Sequence, residues 1–252
     1  MPGAFPVSVY CAAPEDRPEE KPVARELQPG VELQPEVEPM SGADGHGAVL
    51  LEGKDLELWR GEQRLFTKVS FQLRAGELLH IVGPNGCGKT SLLRVLCGLT
   101  LPETGEVYWR SKKLARNRAD FHASTCYLGH RESLKADLTA EENLVFPLGL
   151  RAWLSKADLH AALDKVGLSK RLSVPARSLS AGQKRRVSLA RALASGAKLW
   201  ILDEPYTNLD IAGRDLVDQM MSEHLQRDGL VLLVAHQAHG VAAGVTRKLE
   251  LG

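Results

Sequence analysis

Short apolar runs alternate with amphipathic segments through most of the chain after residue 48. Each run is followed by a segment in which apolar residues recur three or four positions apart. Buried strands that alternate with amphipathic helices form parallel sheets with helices on both faces. The pattern therefore predicts an α/β fold with a mostly parallel core sheet. The predicted core strands span 77–82, 124–129, 199–204 and 230–235.

The segment before the first core strand has a different periodicity. Residues 49–51 and 56–59 are rich in apolar positions, and residues 64–73 alternate between apolar and polar side chains. Gly61 marks a turn between the last two segments. Two-residue periodicity and a glycine turn are typical of antiparallel strands. A further turn and strand are predicted at 104–109, followed by a basic polar loop that runs through residue 118.

The helices are predicted from apolar spacing and from their end signals. Thr139 and Glu142 form a capping box, which typically begins a helix. Ser155 begins the next helix and Gly167 ends it. The predicted helices span 89–98, 139–150, 155–167 and 184–194, with a long one that ends near 226.

Residues 1–47 differ in composition from the rest. They contain eight of the thirteen prolines, nine acidic residues and three basic ones. Such a segment buries too little apolar surface to fold, so we expect a disordered Pro/Glu-rich extension before a single domain at 48–252. The extension is interpreted either as a regulatory or partner-binding tail or as a passive one. Met40 is an alternative start of translation.

Composition limits the functional classes. The net charge of +1 gives no electrostatic reason to expect nucleic acid as a partner. Four cysteines without a C-x-x-C pair indicate neither a zinc site nor a disulfide framework, which favours a reducing compartment. We find no run of the roughly 18–20 apolar residues that span a bilayer and no signal peptide. A membrane function would need another chain.

Residues 83–90 match the pattern G-x-x-x-x-G-K-[ST] of phosphate-binding loops, between a predicted strand and a predicted helix. Glycines let successive backbone N–H groups surround an anion, and the helix dipole favours negative charge at the helix start. Lys89 is placed to reach the β- and γ-phosphates, and the Thr90 hydroxyl to bind Mg²⁺. The predicted nucleotide-binding residues here are Gly83, Pro84, Asn85, Gly86, Cys87, Gly88, Lys89, Thr90 and Ser91. Cys87 is interpreted as a small residue at a variable position, with a redox switch as the alternative.

Two acids follow the apolar residues of the third core strand. Asp203 is predicted to hold Mg²⁺, and Glu204 to act as the general base that polarises the attacking water. His236, at the end of a neighbouring strand, is predicted to hydrogen-bond the γ-phosphate and Glu204; a purely structural histidine is the alternative. These parts belong together because ligands bind at the carboxyl ends of parallel strands.

Trp59 precedes the glycine turn of the antiparallel region. It is a candidate platform for the adenine ring, since bases stack on aromatic faces for about 1–3 kcal/mol. The alternative is ordinary packing of an aromatic residue at a strand end.

Residues from about 49 to 252 resemble the nucleotide-binding subunits of ATP-binding cassette (ABC) transporters. Residues 179–183, Leu-Ser-Ala-Gly-Gln, resemble the family's signature motif, and 208–210 its dimer-contact loop. His236 resembles its switch histidine. The phosphate loop, signature, acidic strand and histidine follow the family's order and similar spacing.

The resemblance implies a P-loop NTPase fold of the ABC ATPase type. Such a fold has a mostly parallel core sheet, an antiparallel β subdomain and a helical subdomain that carries the signature. It implies ATP and Mg²⁺ as ligands and a head-to-tail dimer with a second copy. Ser180, Gly182 and Gln183 would then bind nucleotide held by Lys89 of the partner, and dimer closure would drive a membrane subunit.

A narrower resemblance is carried by residues 127–135 and 138–144, by 180–186 and by 199–205. These resemble the ATP-binding subunit of bacterial cytochrome c maturation systems, also called the haem exporter. That family implies membrane permease subunits, a place at the cytoplasmic face of the inner membrane, and use of ATP to release the haem-loaded chaperone. Another small exporter for lipid, drug or peptide remains an alternative, as does a soluble ABC protein without a transport function.

One residue departs from the ABC pattern. Family members usually carry glutamine after the strand that ends near Gly129, where it touches Mg²⁺ and water. Here Arg131 takes that place, with His130 beside it. Arginine has no acceptor atom and cannot ligate Mg²⁺, so Arg131 is expected to face a phosphate or the membrane partner.

Overall fold

The computed structural model describes residues 47–148, 155–236, 240–241 and 243–251. The predicted extension up to residue 46, the alternative start at Met40 and the last two residues of the helix predicted at 139–150 lie outside these ranges. The described strands are β1 (Val49–Arg60), β2 (Gln63–Arg74), β3 (Glu77–Val82), β4 (Thr104–Trp109), β5 (Lys112–Lys113), β6 (Thr125–Leu128), β7 (Leu199–Asp203), β8 (Leu230–Val234) and β9 (Val245–Glu250). The described α-helices are α1 (Lys89–Leu96), α2 (Arg118–Ala123), α3 (Ala140–Leu148), α4 (Lys156–Lys165), α5 (Ala181–Ala194) and α6 (Ile211–Gln226).

The core is a five-stranded sheet in the order β6-β7-β8-β3-β9. Every pairing in it is parallel, which confirms the predicted core sheet. The four predicted core strands correspond to β3, β6, β7 and β8. β7 and β8 are buried along their whole length, as expected for strands that are covered on both faces.

The two faces of this sheet pack against different layers. Trp200 and Leu202 of β7 point into a cluster with the apolar sides of α3, α4, α5 and α6, which we call the helix-packed face. Leu199 and Ile201 of the same strand point into a cluster with α1 and the antiparallel strands, which we call the β-packed face. Alternation along the strand thus divides the core into two clusters.

The antiparallel region forms a separate sheet in the order β2-β1-β4-β5. β1 pairs antiparallel with both β2 and β4, as predicted. Residues 49–51 and 56–59, predicted as two strands, are parts of the one strand β1. Register shifts between Gly53 and Leu56 explain the interrupted periodicity, because a bulge leaves the alternation out of phase on its two sides.

The helical region begins with the predicted capping box. The backbone N–H of Glu142 donates to the Thr139 hydroxyl at 3.2 Å, and the Glu142 carboxylate accepts from the Thr139 N–H at 2.8 Å. Ser155 caps α4, and Gly167 follows it with φ +75°. Both helix starts were therefore predicted correctly. The α3, α4 and α5 helices pack together on the helix-packed face.

Other parts of the fold also differ from the sequence predictions. The helix predicted at 184–194 begins at Ala181, because Ser180 caps it. The basic loop predicted through residue 118 contains β5, a 3₁₀ turn at Leu114–Arg116 and the start of α2. Leu114 and Phe121 are buried there and anchor the segment, although polar residues surround them. β9 was not predicted because its sequence, VTRKLE, is mixed in polarity. It forms an edge strand beside β3, where Arg247 donates to the buried Glu77 carboxylate at 3.0 Å.

No helix among the described residues is both long enough and apolar enough to cross a membrane.

Gly61 and Gly105 of the antiparallel region allow the cost of a positive φ to be separated from the cost of a steric clash. Both have positive φ, +60° at Gly61 and +82° at Gly105. A Cβ at Gly105 would lie 2.3 Å from the carbonyl oxygen of Lys54, whereas nothing lies within 4 Å at Gly61. We expect Gly61→Ala to lower the free energy of unfolding by about 1 kcal/mol, the cost of a left-handed alanine. Gly105→Ala should cost about 3 kcal/mol because the backbone must also shift.

Urea denaturation of both variants beside the wild type measures these costs. Equal destabilisation by the two substitutions would contradict the close approach of β1 and β4 at Gly105.

Candidate nucleotide-binding site

The loop between β3 and α1 has a backbone that only glycine fits at several positions. Gly83 has φ +150°, and a Cβ there would lie 2.2 Å from the carbonyl oxygen of Leu251. Gly88 caps α1 with φ +102°, and its Cβ would lie 3.1 Å from Cβ of Leu65. The loop is thus pressed between the C-terminal segment after β9 and the strand β2. Its backbone N–H groups and the start of α1 suit an anion.

Lys89 lies over this loop. Its ammonium group donates to the carbonyl oxygens of Gly83 and Pro84, each at 2.8 Å. The positive charge therefore sits across the mouth of the loop, with no acidic residue in the first turn of α1. This arrangement fits the phosphates of a nucleotide, because the ammonium is a point charge with three rotatable donors.

The acidic strand end meets the phosphate loop through one hydrogen bond. The Thr90 hydroxyl donates to Oδ2 of Asp203 at 3.2 Å. Asp203 is 1% exposed, and burial raises the pKa of its carboxyl group, while the Thr90 hydrogen bond opposes that rise. A hydroxyl and a carboxylate are hard oxygen ligands, so the pair suits Mg²⁺.

Glu204 follows β7 with an unusual backbone. Its φ is +50°, in the left-handed region that non-glycine residues rarely adopt. Its N–H donates to the carbonyl oxygen of Val234 at 2.8 Å, which ties it to the end of β8. Oε1 of Glu204 lies 3.7 Å from Nε2 of His236, whose side chain is 70% exposed. The predicted general base and histidine are therefore neighbours at the same sheet edge.

The signature residues form the start of α5. The Ser180 hydroxyl accepts from the N–H of Gln183 at 3.2 Å, and the Gln183 side chain accepts from the N–H of Ser180 at 3.0 Å. A Cβ at Gly182 would lie 2.8 Å from the carbonyl oxygen of Asn208, so glycine lets α5 approach the 208–210 turn. Ser180 itself is exposed.

The signature and the phosphate loop lie on opposite sides of the core sheet. The apolar residues of α5 belong to the helix-packed face, and those of α1 to the β-packed face. The predicted nucleotide-binding residues therefore form two groups within one chain. One group is the loop with Thr90, Asp203, Glu204 and His236, and the other is the start of α5.

Trp59 lies near the phosphate loop with an exposed ring. It is 42% exposed, and its Nε1–H donates to Glu57 at 2.8 Å. It pairs with Arg64 of β2, and the next residue, Leu65, is the one that abuts Gly88. The exposure favours the stacking interpretation over packing at a strand end.

Arg185 contacts the backbone of the candidate site, and the sequence did not predict this. It is 1% exposed and donates to carbonyl oxygens at the carboxyl ends of β6 and β7. The run Lys184-Arg185-Arg186 was predicted to lie in a helix and contributes to the narrower resemblance, but no role was predicted for Arg185 itself. Helical spacing contained a signal, because Arg185 lies four positions before the buried Leu189 and so on the apolar side of α5. Arg131 is exposed and lines, with Arg185, a small cavity of about 10 Å³, room for about one water molecule.

Substitution of Asp203 by asparagine is expected to raise the stability of the protein and to abolish its activity. A carboxyl group with a raised folded-state pKa is destabilising when ionised, so the wild type loses stability as the pH rises from 3.8 through that pKa. We expect Asp203→Asn, without metal or nucleotide, to unfold at higher urea than the wild type at pH 7.5. The difference should shrink as the pH approaches 4. ATP hydrolysis by the variant should be lost.

Asp215→Asn, at an exposed position of α6, is the control and should change neither property. A less stable Asp203→Asn variant at pH 7.5 would contradict the burial cost assigned to this carboxylate.

The comparisons with known proteins agree with this geometry. The model of the ABC transporter family matches residues 66–207. The cytochrome c biogenesis ATP-binding export protein of Dechloromonas aromatica is 47% identical over 204 residues, which cover 81% of this chain and all of that protein. Its counterpart in Escherichia coli K12 is 42% identical over 202 residues, which cover 80% of this chain and 96% of that protein.

Solved structures match the fold. A dimeric structure of a bacterial ABC transporter cassette has a TM-score of 0.71 at 25% identity, over 81% of this chain and 95% of that one. The post-hydrolysis structure of that cassette, bound to ADP and Pi, also has a TM-score of 0.71. The chain is therefore an ABC ATPase, and it belongs to the ABC transporter family and, within it, to the cytochrome c biogenesis ATP-binding export proteins.

Proposed function

We propose that this chain is the ATP-hydrolysing subunit of a membrane ABC complex that serves the biogenesis of c-type cytochromes. One joint observation carries the proposal. A single sheet edge holds Lys89, Thr90, Asp203, Glu204 and His236, in a chain that is 47% identical over the full length of a cytochrome c biogenesis export protein. ATP is the substrate, and it binds at this edge of the sheet.

Substrate binding rests on the loop and on Trp59. The loop N–H groups and the start of α1 bind the phosphates, and Lys89 exchanges the carbonyl oxygens of Gly83 and Pro84 for phosphate oxygens. The Trp59 ring stacks on the adenine. Thr90 and Asp203 hold Mg²⁺, which neutralises charge on the phosphates when bound.

Hydrolysis needs little covalent help from the protein, because phosphoryl transfer depends mainly on position and charge. Glu204 accepts the proton of the attacking water as general base. His236 lies 3.7 Å from the Glu204 carboxylate and orients it, or hydrogen-bonds the γ-phosphate, from the end of β8. Its exposed side chain is accessible to nucleotide at the sheet edge.

A second copy completes the site. Within one chain the start of α5 lies across the core sheet from the phosphate loop, so Ser180, Gly182 and Gln183 serve the nucleotide of a partner copy. The exposed start of a 14-residue helix favours negative charge, which suits a γ-phosphate. A dimeric cassette is among the matching structures.

The complex also needs membrane subunits. No described helix of this chain can span a bilayer, and the relatives are named export proteins. We place the chain at the cytoplasmic face of the inner membrane, bound to permease subunits of the cytochrome c maturation system. Closure and reopening of the ATP dimer move those subunits and release the haem-loaded chaperone.

Glu204→Gln tests the assignment of the general base. The amide keeps the shape of the side chain but cannot accept the proton, so we expect hydrolysis to fall by about 100-fold or more. The variant should accumulate as a dimer with Mg²⁺ and ATP, measured by light scattering after size exclusion. Glu223→Gln, a similarly exposed glutamate paired with Lys165 on α4, should hydrolyse ATP normally. A Glu204→Gln variant that stays monomeric and active would disprove the assignment.

Gene deletion tests the pathway. We expect the deletion strain to lose all holo-c-type cytochromes by haem staining and to keep its b-type cytochromes. The wild-type gene should restore them, whereas Glu204→Gln should not, because the role requires turnover. Normal haem staining in the deletion strain would rule out a role in cytochrome c biogenesis while leaving the ATPase assignment intact.

A further inference from the structure

We propose that Arg185 is a positioning residue that fixes the backbone of Glu204 and ties it to the signature helix. The inference rests on the proposed role of Glu204 as general base. The hydrogen bonds of Arg185 go to backbone carbonyls and not to groups proposed to react. Arg185 acts through the peptide groups on either side of Glu204.

The contacts of Arg185 are dense and specific. Its Nη2 donates to the carbonyl oxygens of Asp203 at 3.0 Å and Glu204 at 2.7 Å. Its Nε donates to Pro205 at 3.1 Å, and its Nη1 to Gly129 at 3.0 Å. Four of the five N–H bonds of a guanidinium are thus directed at backbone oxygens. The side chain bridges the ends of β6 and β7.

The first two contacts determine the conformation of Glu204. The Asp203 carbonyl belongs to the peptide before the Glu204 Cα, and the Glu204 carbonyl to the peptide after it. A single nitrogen that binds both oxygens fixes both planes, and hence φ and ψ of Glu204. This restraint matters because φ is +50°, a value that a non-glycine residue leaves unless its surroundings hold it.

The position of Arg185 in α5 and its contact to Gly129 connect the base with two other parts of the site. Arg185 lies five residues after Ser180, little more than one turn into α5. A shift of the helix start, when nucleotide of the partner copy binds there, therefore moves the guanidinium and the Asp203–Pro205 carbonyls together. The hydrogen bond from Arg185 to the Gly129 carbonyl also links the loop that carries Arg131 to the backbone around Glu204. Each site is thereby sensitive to whether its own signature helix has engaged the partner's nucleotide.

The neighbouring cations on α5 do not share this role. Arg186 donates to the Val166 carbonyl and to Asp210, away from the strand ends. Arg191 resembles Arg185 in chemistry, because burial lowers the pKa of both guanidinium groups. It lines the same small cavity, but it has no hydrogen bond to the carbonyls of residues 203–205, and its Nε is buried without a partner. Arg191 is therefore a matched control on the same helix.

The test compares Arg185→Lys and Arg185→Met with Arg191→Met in the full chain. Lysine keeps the charge but cannot reach four carbonyls with a planar fork, and methionine removes every donor. We expect kcat for ATP to fall about 10-fold with lysine and about 100-fold with methionine, while KM changes less than about 3-fold. Arg191→Met should keep kcat within about 3-fold of the wild type.

A second readout separates positioning from a merely structural role. A variant that folds and binds ATP but hydrolyses slowly should accumulate as the dimer with Mg²⁺ and ATP, as Glu204→Gln does. A variant that is only destabilised should lose activity, ATP affinity and dimer in parallel with its folded fraction. Thermal unfolding therefore accompanies each assay, which is run well below the melting temperature. If Arg185→Met fails to fold, Arg185→Lys carries the test.

Unchanged kcat in a folded Arg185→Lys or Arg185→Met variant would overturn the inference, as would an equal loss in Arg191→Met. So would a variant that has slow turnover and no ATP-dependent dimer. These failures differ from failure of the proposed function, in which the wild type itself would neither hydrolyse ATP nor form a dimer, or Glu204→Gln would remain active.

Discussion

The site depends on the parallel register of three strands. Ile81 of β3 and Asp203 of β7 both pair with Val234 of β8, so one row of residues crosses the sheet just before its carboxyl edge. The phosphate loop starts two residues beyond this row, Glu204 one residue and His236 two. If the pairing of β8 with β3 or with β7 slipped by two residues, Asp203 would shift by about 7 Å relative to Thr90. The two side chains could then no longer form a hydrogen bond. The distance of 3.2 Å between Thr90 and Asp203 is a consequence of that row.

The same sheet also separates the two halves of the nucleotide site. Side chains on a strand alternate between faces, so α1 packs on one face and α5 on the other. Within one chain, Ser180 at the start of α5 and Lys89 at the start of α1 therefore lie on opposite faces of the core sheet. This packing supports the proposal that a second copy completes the site. Arg185 is the physical connection between the two sides, because it extends from α5 to the carbonyls at the ends of β6 and β7.

Much of this arrangement could be predicted from the sequence because it is encoded locally. Buried strands such as β7 and β8 are recognisable as continuous apolar runs, and the capping box at Thr139 depends on residues only three apart. The phosphate loop could also be predicted, because its motif lies within eight consecutive residues, 83–90. β9 could not be predicted, since its place beside β3 depends on pairing with residues 168 positions away and not on its own polarity. The left-handed backbone of Glu204 carries no local signal either, because no glycine marks it.

Arg185 illustrates why sequence patterns can conceal a site residue. The sequence places Arg185 in a helix among other cations, and only its tertiary contacts reveal a buried guanidinium. Each of the residues at this edge is costly for the folded state. Asp203 is a buried carboxylate, Glu204 adopts a backbone conformation that costs about 1–2 kcal/mol, and Arg185 is a charge removed from water.

These costs are connected through shared contacts. The carbonyls of Asp203 and Glu204 satisfy the donors of Arg185, and the donors of Arg185 hold Glu204 in its strained conformation. A buried charge with several hydrogen bonds is far less destabilising than the same charge with none. Loss of the Arg185 guanidinium therefore leaves these carbonyls without a donor and Glu204 without its restraint. Asp203→Asn differs, because it keeps the backbone carbonyls and removes only a buried charge. The edge is therefore one hydrogen-bonded network, in which the left-handed backbone of Glu204 is held by a side chain of α5, the helix that we propose binds the partner's nucleotide.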